Sequence, residues 1–187
     1  MINWQVIANA ITDATSKRFE VAQATPLSGG CINQAYRIHS QDQQCFFIKL
    51  NAADKHPMFA AESAGLGEIA ATNTVRVPHP VAHGVAQTYS FLVLENIELG
   101  GHGNAALLGQ QLAALHRNCA PKFGFVFANT IGETPQINNW QTDWITFWRE
   151  QRLGFQLTLA ARNGYGGRLQ MLGQQVMERL PPSALVR

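Results

Sequence analysis

Lys49 and Glu62 are the residues whose types and surroundings most directly suggest chemistry. Lys49 lies within the otherwise apolar run 46–50. Glu62 shares one face of a predicted helix with three apolar residues, Phe59, Leu66 and Ile69. Because a carboxylate on an apolar face must be paired or neutralised, we predict an ion pair between Glu62 and Lys49.

A glycine pair, Gly29 and Gly30, precedes the strand that leads into the Lys49 hairpin. Glycine lets the backbone approach a ligand closely and turn its N–H groups inward, as a phosphate requires. Glycine loop, strand lysine and helix glutamate, in that order, are typical of the clamp that holds ATP phosphates in kinase-like folds. At this point a soluble α+β domain with a purely structural Lys49–Glu62 pair stays open.

The composition narrows the class of protein. The 187 residues are 46% hydrophobic and 14% charged, with a formal charge of +2 and no Lys/Arg cluster, which argues against a nucleic-acid partner. No apolar run reaches the length of a membrane span, and the N-terminus has no signal-peptide pattern, so no membrane partner is expected. Three cysteines without metal-ligand spacing favour a reducing compartment, and we predict a cytoplasmic protein.

Hydrophobic periodicity predicts an α+β fold. We expect helices in 2–15 and 57–70, and strands in 19–24, 35–38, 46–50, 81–85 and 89–95. This order gives a protein-kinase-like N-terminal lobe, an antiparallel sheet plus one helix, over residues 1–99. The glycine-rich break after Leu99 starts an incomplete helical C-terminal lobe, 100–187, whose helices are predicted from Asn104, after Asn138 or Asn139, and from Arg168.

Two further segments carry candidate binding residues. Leu94 and Glu95 end an apolar strand where backbone groups of a hinge could bind an adenine edge, although the residues alone favour a simple core strand. The long loop 123–140 mixes amides with aromatic rings, a combination that suits polyol recognition. Its candidates for substrate binding are Gln136, Asn138 and Trp140, with ordinary loop packing as the alternative.

These residues together resemble the fructosamine kinase (ketosamine-3-kinase) family, which is related to aminoglycoside phosphotransferases and choline kinases. The similarity covers nearly the whole chain and includes Gly29-Gly30-Cys31-Ile32-Asn33, Phe47-Ile48-Lys49, Phe91-Leu92-Val93-Leu94-Glu95, Leu115-His116, Phe123-Gly124-Phe125, Thr134-Pro135-Gln136, Asp143-Trp144 and Arg152-Leu153.

The resemblance implies an ATP- and Mg²⁺-dependent kinase that phosphorylates a sugar hydroxyl of small ketosamines or glycated proteins. In this interpretation Lys49 holds the nucleotide phosphates and Glu62 orients Lys49. The loop 29–33, with Cys31 and Asn33, covers the phosphates, and the segment around Leu94 and Glu95 receives adenine.

The chain departs from the family pattern at its end. In the family, a His-Gly-Asp sequence supplies the catalytic base and is followed by an Asn and a Mg²⁺-binding Asp, whereas here residues 182–186 lead only to Arg187. We therefore expect no catalytic residue and no metal ligand within these residues, and an inactive N-terminal portion of a ketosamine kinase. The alternative is a non-catalytic nucleotide-binding or interaction module.

Cys31 is the predicted reactive thiol, because glycine-loop N–H groups and a nearby lysine favour a thiolate. Oxidation of Cys31 would cross-link the glycine loops of two chains, and a redox-dependent homodimer is therefore a further expectation. The alternative is that a small residue simply fits this loop.

Overall fold

The computed structural model describes residues 2–28, 32–100 and 103–180. By internal contacts the chain forms two compact units, Met1–Asn118 and Cys119–Arg187. The predicted division into functional lobes at 99/100 differs from this boundary, because the helix at 105–116 belongs to the first unit. The functional assignment of the two lobes stays a prediction.

The first unit is built on a five-stranded antiparallel sheet with strand order β1-β2-β3-β5-β4. Its elements are α1 (Trp4–Thr15), β1 (Gln23–Leu27), β2 (Gln34–His39), β3 (Cys45–Ala52), a 3-10 turn (Ala53–Lys55), α2 (His56–Ala71), β4 (Pro80–Ala86), β5 (Tyr89–Glu95) and α3 (Ala105–His116). The predicted α+β class, the hairpin and the crossing helix are confirmed.

The two faces of this sheet pack against different helices, since side chains alternate along each strand. Ile48 and Leu50 of β3 are buried on the face covered by α1, where they join Ile7 and Ile11. Phe47 lies on the opposite face and packs with the cluster that contains Phe59 of α2. Lys49, two residues after Phe47, therefore projects on the α2 side.

The α2 helix is held to the sheet by one fully buried aromatic ring. Phe59 packs with Leu92 and Leu94 of β5, and Met58 and Leu66 contact the same cluster. Pro57 stands in the first turn, where its missing N–H costs no helical hydrogen bond. The apolar face predicted for this helix thus docks on the sheet, which fixes the position of Glu62.

The first strand begins later than predicted. Residues 19–24 were expected to form it, but β1 runs over Gln23–Leu27 and Phe19 is a buried core residue ahead of the strand. Pro26 does not end the strand, because β1 lies at the sheet edge, where a missing N–H need not disturb pairing.

Helix α3 begins as predicted, with the Asn104 side chain accepting a hydrogen bond from the Leu107 N–H at 2.9 Å. Its leucine-rich side, however, is not part of the core of its unit. Leu107, Leu108 and Leu112 are all exposed.

The second unit contains a two-stranded sheet and a series of helices. Its elements are β6 (Asn129–Ile131), β7 (Thr134–Gln136), α4 (Trp144–Trp148), a π-helical turn (Arg149–Leu153), α5 (Gly154–Arg162) and α6 (Arg168–Arg179). The N-cap of α4 is Asp143, whose carboxylate accepts the Thr146 N–H at 2.7 Å, so the prediction of Asn138 or Asn139 as cap was wrong.

The π-helical turn also alters the predicted aromatic stripe of Trp140, Trp144, Trp148 and Phe155. The wider turn lies between Trp148 and Phe155 and shifts the helical phase there. The buried side chains of this region include Ile145 and Phe147 before the turn and Leu157 after it. Trp140 precedes the helix altogether.

No helix in 2–28, 32–100 or 103–180 has the length and apolar character needed to cross a membrane.

Gly154 offers a test of the π-helical turn. Its N–H donates to the Arg149 carbonyl, and a Cβ at this position would lie 2.3 Å from that oxygen. We expect Gly154→Ala to lower the free energy of unfolding by about 1–3 kcal/mol, because the turn must open to admit the methyl group.

The measurement is urea unfolding followed by tryptophan fluorescence. Gly109→Ala in α3 is the matched control, since nothing lies within 4 Å of a Cβ there and alanine is the better helix former. Equal stabilities of Gly154→Ala and the wild type would contradict the assignment of the turn.

Candidate functional site

Lys49 and Glu62 form the predicted ion pair. The Lys49 Nζ lies 2.5 Å from the Glu62 Oε1, and the two side chains are 27% and 29% exposed. The backbone of Lys49 is fixed between Ala35 of β2 and Leu92 of β5 by strand register. The pair therefore stands at an accessible surface of the sheet while its backbone positions are set by the core.

The sheet face beside the pair is suited to a flat apolar ligand part. The α2 side of the sheet carries Leu27 of β1, Ala35 of β2 and Phe47 of β3. Leu27 pairs with Ala35, Ala35 pairs with Lys49, and Phe47 precedes Lys49 by two positions on β3. All three are only partly buried. We call Leu27, Ala35 and Phe47 the apolar strip. The Lys49 ammonium group and this strip together can bind a ligand in which an anionic group is joined to an aromatic base.

Asn51 is a second polar residue on the Lys49 side of β3, and sequence reasoning missed it. Its Nδ2 donates to the Asn33 Oδ1 at 2.7 Å and to the Ile32 carbonyl at 3.2 Å. Its own Oδ1 accepts the Ala52 N–H at 2.8 Å. The alternation of strand side chains could have revealed it, because Asn51 follows Lys49 by two positions.

The remaining predicted residues of the loop, Gly29, Gly30 and Cys31, lie outside the described residues. Their assigned roles in nucleotide binding, and the redox role of Cys31, stay predictions. Cys45 is described, and its burial raises the pKa of the thiol, which disfavours the reactive thiolate there.

The end of β5 is held by a bidentate ion pair that the sequence did not suggest. The two guanidinium nitrogens of Arg76 lie 2.5 and 2.8 Å from the two carboxylate oxygens of Glu95. The Glu95 carboxylate also accepts the His79 N–H, and the Glu95 N–H donates to the His79 carbonyl at 2.9 Å. These bonds, led by the one from Arg76, lower the pKa of Glu95 to about 2.

The predicted hinge residues therefore have structural functions in this conformation. Leu94 is buried against Phe59, and the Glu95 side chain ties the connector 75–79 to the strand. The backbone N–H of Glu95 is occupied by His79. The Glu95 N–H is therefore not available to an adenine edge in this conformation, and the assignment of this segment to adenine stays a prediction.

Within the second unit, Asn138 organises the loop that carries the substrate-binding candidates. Its buried amide donates to the Phe127 carbonyl and to the Asn129 Oδ1, both at 2.9 Å, and accepts from Arg152 at 2.6 Å. With its donors and acceptor engaged, Asn138 supports the loop from within. Its predicted contact with substrate is untested, and we expect an indirect role.

Arg152 joins several parts of this loop from the π-helical turn. Besides Asn138, its guanidinium donates to the Ile137 carbonyl at 2.7 Å and lies 4.4 Å from the centre of the Phe147 ring. Burial lowers the pKa of this guanidinium. No local sequence pattern indicated these contacts, because they depend on the fold of the loop.

Gln136 and Trp140 differ in exposure. The Gln136 amide donates to the Asn129 Oδ1 at 2.9 Å, which links β7 to β6. Trp140 is 49% exposed and packs on Gly124, where a Cβ would lie 2.9 Å from its ring. Trp140 thus presents part of its ring to solvent, as a platform for a sugar would.

Comparison with known proteins decides the family. The family model described as fructosamine kinase matches residues 3–184. The chain belongs to the fructosamine kinase family.

Relatives of this fructosamine kinase family member carry kinase names. It is 46% identical over 162 residues to a "Probable ketoamine kinase" of Synechocystis sp., covering 85% of this chain and 55% of that protein. It is 40% identical over 171 residues to the "Protein-ribulosamine 3-kinase, chloroplastic" of Arabidopsis thaliana, covering 89% of this chain and 52% of the relative. Because that relative is named as chloroplastic, the cytoplasmic compartment stays a prediction.

A solved structure supports the same assignment. A protein of Haemophilus somnus 129PT, named as a fructosamine-3-kinase, aligns with a TM-score of 0.85 and 27% identity over 96% of this chain and 63% of its own length. The fructosamine kinase family member described here thus spans roughly half to two thirds of the lengths of these relatives.

Glu95 generates a prediction for the pH dependence of stability. Its folded pKa of about 2 lies below the ordinary value of 4.5, so its contribution is present above pH 4.5 and is lost as the pH falls toward 2. The carboxylate is a third exposed, and solvent screening limits the contribution to about 1 kcal/mol.

We expect Glu95→Gln to lower the free energy of unfolding at pH 7 and to flatten its pH dependence between 4.5 and 2. The measurement is urea unfolding across this range, with Glu68→Gln, an exposed carboxylate on α2, as control. An unchanged pH profile in Glu95→Gln would contradict a stabilising Arg76–Glu95 pair.

Proposed function

We propose that this chain binds the phosphates of ATP at Lys49 and forms part of a kinase of ketosamines. The observation that carries the proposal is the Lys49–Glu62 pair, 2.5 Å apart, on an accessible face of the antiparallel sheet. Family membership supports the kinase class, and the names of the relatives support sugar-amine substrates.

The geometry explains how Lys49 would act. The Glu62 carboxylate holds the Lys49 ammonium group against α2, so the cation is oriented before a phosphate arrives. An ammonium group placed in advance stabilises phosphate charge without reorganisation during the reaction. Glu62 thus acts as a positioning residue and Lys49 as the direct contact.

The apolar strip formed by Leu27, Ala35 and Phe47 would accept the base of the nucleotide. It lies on the same side of the sheet as Lys49, so one ligand could contact both. ATP joins an aromatic base to a polyanion and therefore fits both features. Mg²⁺, which the kinase class implies, would neutralise phosphate charge.

The described residues bring no group of three or more His, Cys, Asp and Glu side chains together as a metal site. By resemblance to the family, we propose that the catalytic base and the Mg²⁺-binding acid belong to residues beyond the 187 of this chain. The activity, substrates and partners of the whole protein are accordingly part of this proposal.

For the second unit, we propose that the loop 123–140 contacts the sugar amine. Trp140 offers a partly exposed ring, and Gln136 lies in the adjoining strand β7. Asn138 and Arg152 would act indirectly by keeping the loop in shape. A small ketosamine and a glycated protein share the sugar that this loop would recognise.

Lys49 provides the direct test of nucleotide binding. We expect ATP to raise the thermal midpoint of the wild-type chain and Lys49→Ala to abolish this shift, because the variant lacks the phosphate contact. Glu62→Gln should weaken the shift without abolishing it.

The measurement is differential scanning fluorimetry with increasing ATP. Lys17→Ala, an exposed lysine just after α1, is the matched control and should keep the wild-type response. A full ATP response in Lys49→Ala would refute the proposed phosphate site.

The isolated 187-residue chain should show no ATP-dependent phosphorylation of a fructosamine, because the proposed base and metal ligand are supplied elsewhere. The assay is transfer of labelled phosphate from ATP to a fructosylated amine. Turnover by purified chain that Lys49→Ala abolishes would overturn this part of the proposal and leave the kinase assignment intact.

A further inference from the structure

We propose that Asn51 is a positioning residue for nucleotide phosphates. Asn51 fixes the orientation of the Asn33 side-chain amide, so that the NH₂ group of Asn33 is available to a ligand. The inference rests on the proposed function and deepens it. It assigns a role to Asn51, and it states which end of the Asn33 amide meets the nucleotide.

The orientation of the Asn51 amide follows from its three contacts. The Ala52 N–H can only donate, so the Asn51 atom that it meets at 2.8 Å must be the oxygen. The Ile32 carbonyl can only accept, so the Asn51 atom that it meets at 3.2 Å must be the nitrogen. The two contacts agree, and the amide has a single orientation.

The orientation of the Asn33 amide follows from that of Asn51. The Asn51 nitrogen lies 2.7 Å from the Asn33 side chain, and two NH₂ groups cannot hydrogen-bond to each other. The Asn33 oxygen must therefore face Asn51, which turns the Asn33 NH₂ group away from it. Among the described residues, none accepts a hydrogen bond from this NH₂ group.

Strand register places these groups next to Lys49. Gln34 pairs with Leu50, so the preceding residue, Asn33, stands opposite Asn51 at the end of the β2–β3 ladder. Asn51 and Lys49 are two residues apart on β3 and project to the same side, with Cα atoms roughly 7 Å apart. A polyphosphate can therefore contact both the Lys49 cation and the Asn33 amide.

The chemistry of this pair of groups favours phosphate over other ligands. An amide NH₂ and an ammonium group both donate hydrogen bonds, and a chain of phosphates offers several negatively charged acceptors. Without Asn51, the Asn33 amide would be free to rotate and could present its oxygen to the phosphates. That orientation would repel the ligand.

The test compares nucleotide binding by variants of the 187-residue chain, using calorimetric titration with ATP and with adenosine. We expect Asn51→Ala to raise the Kd for ATP about 5- to 10-fold, the scale of one ordinary hydrogen bond, and to leave the Kd for adenosine unchanged. Asn51→Asp, which keeps the size but cannot donate, should do the same.

A double-variant cycle separates positioning from direct contact. Asn33→Ala should weaken ATP binding at least as much as Asn51→Ala, and adding Asn51→Ala to Asn33→Ala should cost nothing further. Gln34→Ala is the matched control, because this neighbouring exposed side chain projects to the other side of β2 and should bind ATP as the wild type does.

Three results would overturn the role of Asn51 and leave the proposed function standing. They are wild-type ATP affinity in Asn51→Ala and Asn51→Asp, additive effects of Asn33→Ala and Asn51→Ala, and an equal loss of adenosine binding. Absence of ATP binding by the folded wild-type chain would overturn the proposed function and this inference with it.

Discussion

The ion pair between Lys49 and Glu62 is the interaction on which the candidate site depends, and it requires that the strand and the helix carrying the two residues be held in position. A strand and a helix must both be fixed before two charges can meet at 2.5 Å. Burial of Phe59 against Leu92 and Leu94 fixes the helix, and pairing of β3 between β2 and β5 fixes the strand. The pair itself is partly exposed, so it adds little stability and is available to a ligand.

Beside the regular elements, single polar side chains fix the irregular segments. Arg76 ties the connector before β4 to the end of β5, and Asn51 holds residues 32 and 33. In the second unit, Arg152 and Asn138 hold the loop 123–140. Segments outside a helix or sheet have no repeating backbone hydrogen bonds, so side chains satisfy part of their carbonyl and N–H groups.

The same need for side-chain hydrogen bonds explains the observed contacts of two residues that were predicted to bind ligands, Glu95 and Asn138. Glu95 was selected because backbone groups at the end of its strand could bind adenine, and Asn138 because an amide in a long loop can bind a sugar. The structure shows both side chains engaged with an arginine of their own unit. A polar side chain can hold a site in place as well as contact a ligand, and sequence type alone does not separate these two roles.

Much of the architecture could be predicted because it depends on local patterns. The two neighbouring strand candidates at 35–38 and 46–50 predicted the hairpin, and the spacing of Phe59, Glu62 and Leu66 predicted the helix and the identity of the ion pair. The Asn104 helix cap could be predicted for the same reason, since the side chain of an N-cap residue accepts a hydrogen bond from a backbone N–H only three residues away.

Tertiary structure decided the features that join distant residues or break local periodicity. The π-helical turn, closed by the hydrogen bond from the Gly154 N–H to the Arg149 carbonyl, shifts the helical phase after Trp148 and has no signature in hydrophobic spacing. The Arg76–Glu95 and Asn33–Asn51 contacts join residues 19 and 18 positions apart, and the second follows from the register of β2 and β3. The sequence by itself thus determined the elements and the charged pair, whereas the packed sheet decided which polar atoms remain available to a ligand.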